Sequence, residues 1–131
     1  MSKLSISTAF TIAAVLCAAA VPAVAQQGDV AGGEDVFKKC RACHDVGPDA
    51  KNKVGPILNG IVGRKAGTIE GFAYSEANKD AGAKGLVWTE AELMKYLLNP
   101  AAHMPRNKMA FAGLKDEQDR LDVIAYLKQF K

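Results

Sequence analysis

The sequence predicts an all-α domain of about four short helices separated by long loops. Beyond residue 25 no stretch alternates apolar and polar residues for long enough to form a strand, whereas apolar residues recur repeatedly at helical spacing. Between Cys43 and Ser75 the chain is rich in glycine and shows no helical pattern. A loop of this length is unusual in a compact domain, so we expect it to pack on something other than helices.

The first helix is predicted to begin at Asp29 and to run to about Arg41. Asp29 is a good N-cap because its carboxylate accepts from the first free N–H groups of a helix. The expected apolar stripe consists of Val30, Gly33, Phe37 and Cys40. A glycine inside a helix costs about 1 kcal/mol relative to alanine, so Gly33 indicates close approach of another helix.

Two further helices are predicted in the middle of the chain. A short one spans Ser75 to about Asp80, and a longer one runs from Thr89 to Leu98. Thr89 and Glu92 have the spacing of a capping box, in which each side chain bonds the other's backbone N–H. Asn99-Pro100 ends this helix, because the residue before a proline avoids helical backbone angles.

The last helix is predicted to begin near Asp116. Acidic residues occupy its first turn and Lys128 and Lys131 lie at its end, as the helix dipole favours. Its apolar stripe comprises Val123, Tyr126, Leu127 and Phe130.

The first 25 residues have the pattern of a secretory signal. Residues 9–21 form a run of 13 residues without a charge, preceded by Lys3 and too short to span a bilayer. Ala23-Val24-Ala25 supplies the small residues that signal peptidase reads, so we expect cleavage before Gln26 and export to the periplasm. Residues 26–131 should then form a single domain without stable membrane insertion.

Composition and charge narrow the class of protein. The 131 residues are 49% hydrophobic and 24% charged, which fits a globular protein and excludes a disordered or fibrous one. The formal net charge of +3 falls to +2 when the segment with Lys3 is removed. Basic and acidic residues alternate along most of the remaining chain, which argues against a nucleic-acid partner.

Cys40-Arg41-Ala42-Cys43-His44 is the motif that carries chemistry. On a helical turn both sulfurs face the same way and can add to the two vinyl groups of one haem, and His44 then falls beneath the ring with a nitrogen toward the iron. One alternative is a thioredoxin-like redox dithiol, but such a pair normally occurs in a βαβ unit, which this sequence does not predict. The other is a zinc site formed by Cys40, Cys43, His44 and His103. A haem is favoured because it also supplies an apolar centre for the long loop.

The second axial ligand decides the class of haem protein, because a saturated iron transfers electrons and an open one binds small molecules. Met94 lies within a helix, where core packing is the usual role of methionine. Met104 and Met109 lie after Pro100, as does the nitrogen alternative His103. Spacing does not choose among them, so a gas-binding or peroxidatic haem protein stays a second hypothesis.

The chain resembles the class I cytochrome c family, of the bacterial cytochrome c2 and mitochondrial type. The likeness extends from Gly33 to Phe130 and rests on several motifs that occur in the same order. Besides the haem motif, these are 53–58 (KVGPIL), 60–65 (GIVGRK), 72–79 (FAYSEANK), 88–100, 107–113 (NKMAFAG) and 124–127 (IAYL). The resemblance implies a cytochrome c fold around one haem c attached through Cys40 and Cys43, with His44 and Met109 as axial ligands.

The resemblance also implies roles for the residues around the haem. Pro56 would accept the proton of His44 on its carbonyl, and Tyr96 would hydrogen-bond near the methionine sulfur. The haem propionates would be held by Arg64, Tyr74 and Trp88, with Asn78 in the same polar network. The exposed haem edge would lie near Phe111.

The implied function is one-electron transfer, not enzymatic catalysis. The resemblance suggests a monomer that shuttles between a membrane cytochrome bc complex and a terminal oxidase or photosynthetic reaction centre. Lysines around the haem edge would steer it to acidic docking surfaces, the candidates being Lys38, Lys39, Lys51, Lys53 and Lys108. Ala101, Ala102 and Arg106 depart from the mitochondrial pattern, so this docking face is altered.

Overall fold

A computed structural model describes residues 26–131, so the predicted signal at 1–25 lies outside the described residues. The elements are α1 (Val30–Phe37), α2 (Glu76–Ala83), α3 (Glu90–Leu98), α4 (Pro100–His103) and α5 (Glu117–Leu127). Within residues 26–131 there is no strand, and Lys65 and Val87 form one isolated antiparallel bridge. The all-α prediction is confirmed, with five helices where about four were expected. None of the helices in this part of the chain is both long and apolar enough to cross a bilayer.

The predicted helix starts are confirmed at four places. The side chains of Asp29, Ser75, Thr89 and Asp116 each accept a hydrogen bond from a backbone N–H in the first turn that follows. The helix ends are less well predicted. α1 stops at Phe37 instead of Arg41, and α2 continues past Asp80 to Ala83.

The helix α4 was not predicted, because Asn99-Pro100 was interpreted only as a stop. Pro100 does end α3, but it also occupies the first turn of the next helix, where its missing N–H costs nothing. The Asn99 side chain caps this helix by accepting from Ala102 N at 3.2 Å. One dipeptide therefore ends α3 and begins α4.

The crossing of α1 and α5 explains Gly33. A Cβ atom at Gly33 would overlap the carbonyl oxygen of Asp122, so only glycine allows this approach. Beside it, the rings of Phe37 and Tyr126 lie 5.4 Å apart. The predicted stripe of α1 is wrong at Val30, which is 41% exposed, and it omitted the buried Val36.

The long loop between α1 and α2 is held by backbone hydrogen bonds to distant segments. Gly60 N donates to Phe130 O at 2.8 Å, beyond the end of α5. Arg64 O accepts from Trp88 N and Trp88 O accepts from Gly63 N, both at 2.8 Å. These bonds bring the loop to the segment that precedes α3, where Trp88 is buried in the core.

Candidate functional site

His44 lies on a hydrogen-bonded turn that continues from α1. Cys40 N and Arg41 N donate to Phe37 O, and His44 N donates to Cys40 O at 2.9 Å. The turn therefore fixes the backbone of the whole Cys40–His44 motif relative to α1. Both cysteines are half-buried thiols that form no disulfide, and burial raises the pKa of Cys40.

The His44 ring is held from two sides by the segment of Gly55 and Pro56. His44 Nδ1 lies 2.7 Å from Pro56 O, and because a carbonyl only accepts, Nδ1 carries the proton. A Cβ atom at Gly55 would overlap this ring, so glycine is needed for the ring to lie there. Gly55 N in turn donates to Cys43 O at 2.8 Å, which ties the segment to the motif.

The electrostatic environment of His44 favours the neutral imidazole. Burial lowers the pKa of the imidazole, the hydrogen bond to Pro56 opposes this, and the charge of Arg64 again lowers it. A neutral ring with its proton on Nδ1 has a lone pair on Nε2. This is the form in which histidine binds a metal, oriented by the bond that its other nitrogen makes.

Met109 lies beside a buried tyrosine. The Tyr96 hydroxyl is 3.8 Å from Met109 Sδ, and the Tyr96 ring packs on Trp88 with centroids 4.7 Å apart. Burial raises the pKa of Tyr96 to about 12, so its hydroxyl keeps its proton at neutral pH. The structure thus brings together Met109, Tyr96 and Trp88, three residues predicted to lie near the haem.

The other candidate ligands are engaged elsewhere. Met104 lies in the hydrophobic core and is 5% exposed, and Met94 is half-buried and packs against the same core. His103 Nε2 lies 2.6 Å from the Glu92 carboxylate. The zinc site considered from the sequence is not formed, because residues 26–131 contain no group of three or more His, Cys, Asp or Glu side chains that could hold a metal ion.

The residues predicted to hold the propionates have different environments. The Arg64 guanidinium donates to Asn59 O at 2.9 Å and to Ile57 O at 3.1 Å. The Tyr74 hydroxyl accepts from Ile69 N at 3.2 Å. Asn78 Oδ1 is buried and has no hydrogen-bond partner in the described part of the chain.

This site fits haem c. Two thiols, an imidazole with a lone pair on Nε2 and a thioether form the donor set that a covalently attached, six-coordinate haem iron requires. Buried polar atoms normally have a hydrogen-bond partner. Asn78 Oδ1 has none, as expected if a polar group of the haem supplies the missing partner. Phe111 is half-buried and its N donates to Met109 O at 3.0 Å, which places it next to the methionine.

Sequence reasoning missed the residues that support Met109. Asn107 Oδ1 accepts from Met109 N at 2.7 Å, and its Nδ2 donates to Pro100 O and Met104 O at 2.9 and 2.7 Å. An Asn two residues before a backbone N–H is the pattern of an Asx-turn, so a usable signal was present. The partnership of Glu92 with His103 gave no such signal, because the capping box explained Glu92.

The predicted lysine patch is partly neutralised. Lys38 pairs with Asp35 at 2.6 Å, Lys39 with Asp119 at 3.0 Å, and Lys53 with Asp45 at 3.8 Å. Lys108 Nζ donates to the Ala73 carbonyl at 3.2 Å. Within residues 26–131, Lys51 and Lys108 form no ion pair, so no carboxylate within 4.0 Å offsets their charge.

Comparison with known proteins decides the family. The family model described as Cytochrome c matches residues 30–131. The chain belongs to the cytochrome c family. It is accordingly an electron-transfer protein, not an enzyme.

Individual relatives of this cytochrome cover nearly all of the described region. The chain is 58% identical over 116 residues to cytochrome c2 of Blastochloris viridis, covering 88% of this chain and 87% of that protein. It is 59% identical over 100 residues to cytochrome c-550 of Ancylobacter novellus, covering 76% and 94%. The solved structure of cytochrome c2 from Rhodospirillum centenum matches with a TM-score of 0.76 and 51% identity, over 79% of this chain and 98% of that one.

Proposed function

We propose that this cytochrome is a soluble periplasmic carrier of single electrons, with one haem c held covalently by Cys40 and Cys43. The observation that carries the proposal is the orientation of His44, whose Nδ1 is bound to Pro56 O at 2.7 Å. Only Nε2 is then left to bind a metal. When bound, haem c supplies an iron centre that takes up and releases one electron.

The chain's own residues would saturate and shield that centre. His44 and Met109 would be the axial ligands, and a thioether is a neutral, soft ligand that favours the reduced state. Tyr96 is buried beside Met109, Trp88 is buried against Tyr96, and the two rings would exclude water. Arg64, Tyr74 and Trp88 would hold the propionates, with Asn78 in the same polar network. Neither axial position would be left open to a substrate.

The proposed partners are membrane redox complexes with acidic docking surfaces. A cytochrome bc complex would donate the electron, and a terminal oxidase or photosynthetic reaction centre would accept it. Docking would occur at the haem edge near Phe111, with Lys51 and Lys108 as the main steering charges. We expect the second-order rate of electron transfer to fall as salt rises, because screening weakens long-range attraction. A rate that is flat or rises with salt would contradict this docking mode.

Periplasmic export is supported by the pattern of residues 1–25, with mature protein beginning at Gln26. The test is the N-terminal sequence of protein recovered from the periplasm of an expressing bacterium. We expect Gln26 as the first residue. Recovery of the intact chain in the membrane fraction would contradict the cleaved signal.

Haem attachment and ligation are tested by spectroscopy of protein matured in a host that attaches haem c. We expect a pyridine haemochrome with two thioether links and a ferrous spectrum that carbon monoxide does not alter at neutral pH. Met109→Ala should open the iron to carbon monoxide, whereas Met104→Ala, the matched change in the core, should not. A colourless protein would overturn the proposal, and rapid binding by the unmodified protein would support a gas-binding or peroxidatic role.

A further inference from the structure

The hydrogen bond between Glu92 and His103 is more enclosed than the ion pairs of lysine with Asp or Glu in residues 26–131. The two side chains are 24% and 23% exposed, and the atoms Oε1 and Nε2 lie 2.6 Å apart. In each of the other pairs at least one side chain is 39% exposed or more. Because water competes with it less, this hydrogen bond to a carboxylate should be stronger than one at the exposed surface.

Glu92 gives up a local partner to form this pair. It lies in the first turn of α3, where the capping box would direct its carboxylate to Thr89 N. Thr89 N instead donates to Val87 O at 2.8 Å, and the Glu92 carboxylate reaches α4. A carboxylate only accepts, so His103 Nε2 carries the shared proton. In the described part of the chain this is the side-chain hydrogen bond that joins α3 to α4.

The short helix α4 is the support of the segment that carries Met109. Asn107 Nδ2 is bound to the carbonyls of Pro100 and Met104, and Asn107 Oδ1 is bound to Met109 N. Hydrogen bonds therefore run from Glu92 through His103 and α4 to Asn107 and Met109. A helix of four residues is not stable alone, so its position depends on such attachments.

The same segment contains a strained residue. Arg106 has φ +66°, a value that residues other than glycine rarely adopt. Among residues 26–131, Arg106 alone has a positive φ without being a glycine. Backbone strain of this kind persists only where surrounding contacts enforce it. Loss of one attachment should therefore let the segment move.

We propose that Glu92 and His103 are positioning residues that hold α4 and, through Asn107, keep Met109 in place. A second contact supports this role, since the His103 ring packs edge-on to Tyr96 at 5.9 Å, and Tyr96 lies against Met109 Sδ. The pair thereby sets how readily an external ligand displaces the methionine. This inference rests on the proposed role of Met109 as axial ligand.

The experiment is imidazole binding to the ferric holoprotein at fixed neutral pH, followed by the loss of the methionine-to-iron absorption band. Glu92→Ala should raise the affinity for imidazole by about tenfold, the factor expected when a partly shielded charged hydrogen bond is lost. His103→Phe keeps a ring beside Tyr96 and removes the donor, so it should do the same. Glu92→Gln keeps an acceptor oxygen and should remain close to the unmodified protein.

Glu90→Ala is the matched control. Glu90 also lies in the first turn of α3 and pairs with Lys128 at 2.6 Å, but this pair is exposed and leads to α5. It should leave imidazole affinity within about twofold. If Glu92→Ala and His103→Phe leave the affinity unchanged, or Glu90→Ala raises it equally, the positioning role is overturned. If the unmodified protein lacks methionine ligation, the proposed function fails and this role fails with it.

Discussion

His44 is held mainly by backbone groups, whereas Met109 is held mainly by side chains. The His44 ring lies against Gly55 and bonds Pro56 O, and its own backbone continues the turn after α1. Met109 depends on the side chains of Asn107 and Tyr96 and on the attachment of α4. A substitution can remove a side-chain contact outright but only distort a backbone one. Ligand exchange should therefore occur on the methionine side.

The largest effect is expected where the rigid side is distorted. Gly55→Ala would place a Cβ atom 2.7 Å from His44 Nδ1, so the ring must move away from Pro56 O. We expect the free energy of unfolding to fall by about 3 kcal/mol, as overpacking a fixed site does. Urea unfolding of the holoprotein measures it.

Gly60→Ala is the control for this change. Gly60 has φ +66°, and a Cβ atom added there would meet no other atom within 4 Å, so its substitution adds backbone strain without a clash. The free energy of unfolding should therefore fall by only about 1 kcal/mol in Gly60→Ala. Equal losses at the two glycines would show that the His44 side is not rigidly held.

Asn107→Ala tests the methionine side. It removes one acceptor for Met109 N and the bonds to the carbonyls of Pro100, in α4, and Met104, the C-cap of α4, so the free energy of unfolding should fall by about 2 kcal/mol. Imidazole should also displace Met109 more readily. Asn52→Ala, the same change on the histidine side, removes one exposed bond to Ile57 N and should cost about 0.5 kcal/mol with imidazole affinity unaltered. If the imidazole affinity of Asn107→Ala equals that of the unmodified protein, the claim that side chains hold Met109 in place is wrong.

Tyr96→Phe should have the smallest effect at neutral pH, because a hydroxyl at 3.8 Å from sulfur is a weak contact. Burial raises the pKa of Tyr96 from its ordinary 10.0 to about 12, so folding favours the protonated phenol. Its contribution to stability is complete below pH 10 and is lost as pH rises toward about 12, where the unfolded chain ionises first. Urea unfolding at about pH 9 and about pH 11 should show a steeper loss in the unmodified protein than in Tyr96→Phe. Parallel losses would mean that the phenol is not shielded.

The sequence was informative where the deciding interaction is local. Asp29, Ser75, Thr89 and Asp116 cap helices through bonds to N–H groups two or three residues away, and their identity alone indicated each start. Gly33 indicated that another helix crosses α1 closely, because a glycine within a helix is destabilising unless close packing requires it. The order of motifs indicated the family, which the match over residues 30–131 confirms.

The sequence was misleading where several partners compete for one side chain. Glu92 suits a capping box and also a hydrogen bond to a distant side chain, and the outcome depends on His103 lying beside it in the folded chain. The sequence does not distinguish the lysines at 38, 39 and 53 from Lys51. In the folded chain, however, each of these three forms an ion pair with an aspartate, and Lys51 does not. The roles predicted for the haem-facing residues stay predictions until the holoprotein is measured.

The sequence by itself determined the family, the Cys40–His44 motif, four of the five helix starts and the all-α class, because each depends on residues within about one helical turn or on the order of motifs. Only the tertiary structure decided that α4 exists, that Val30 is exposed, and that Met109 is supported through Asn107, His103 and Glu92. The physical reason is that these features depend on which distant groups meet, and burial and hydrogen bonding across the fold outweigh local preference.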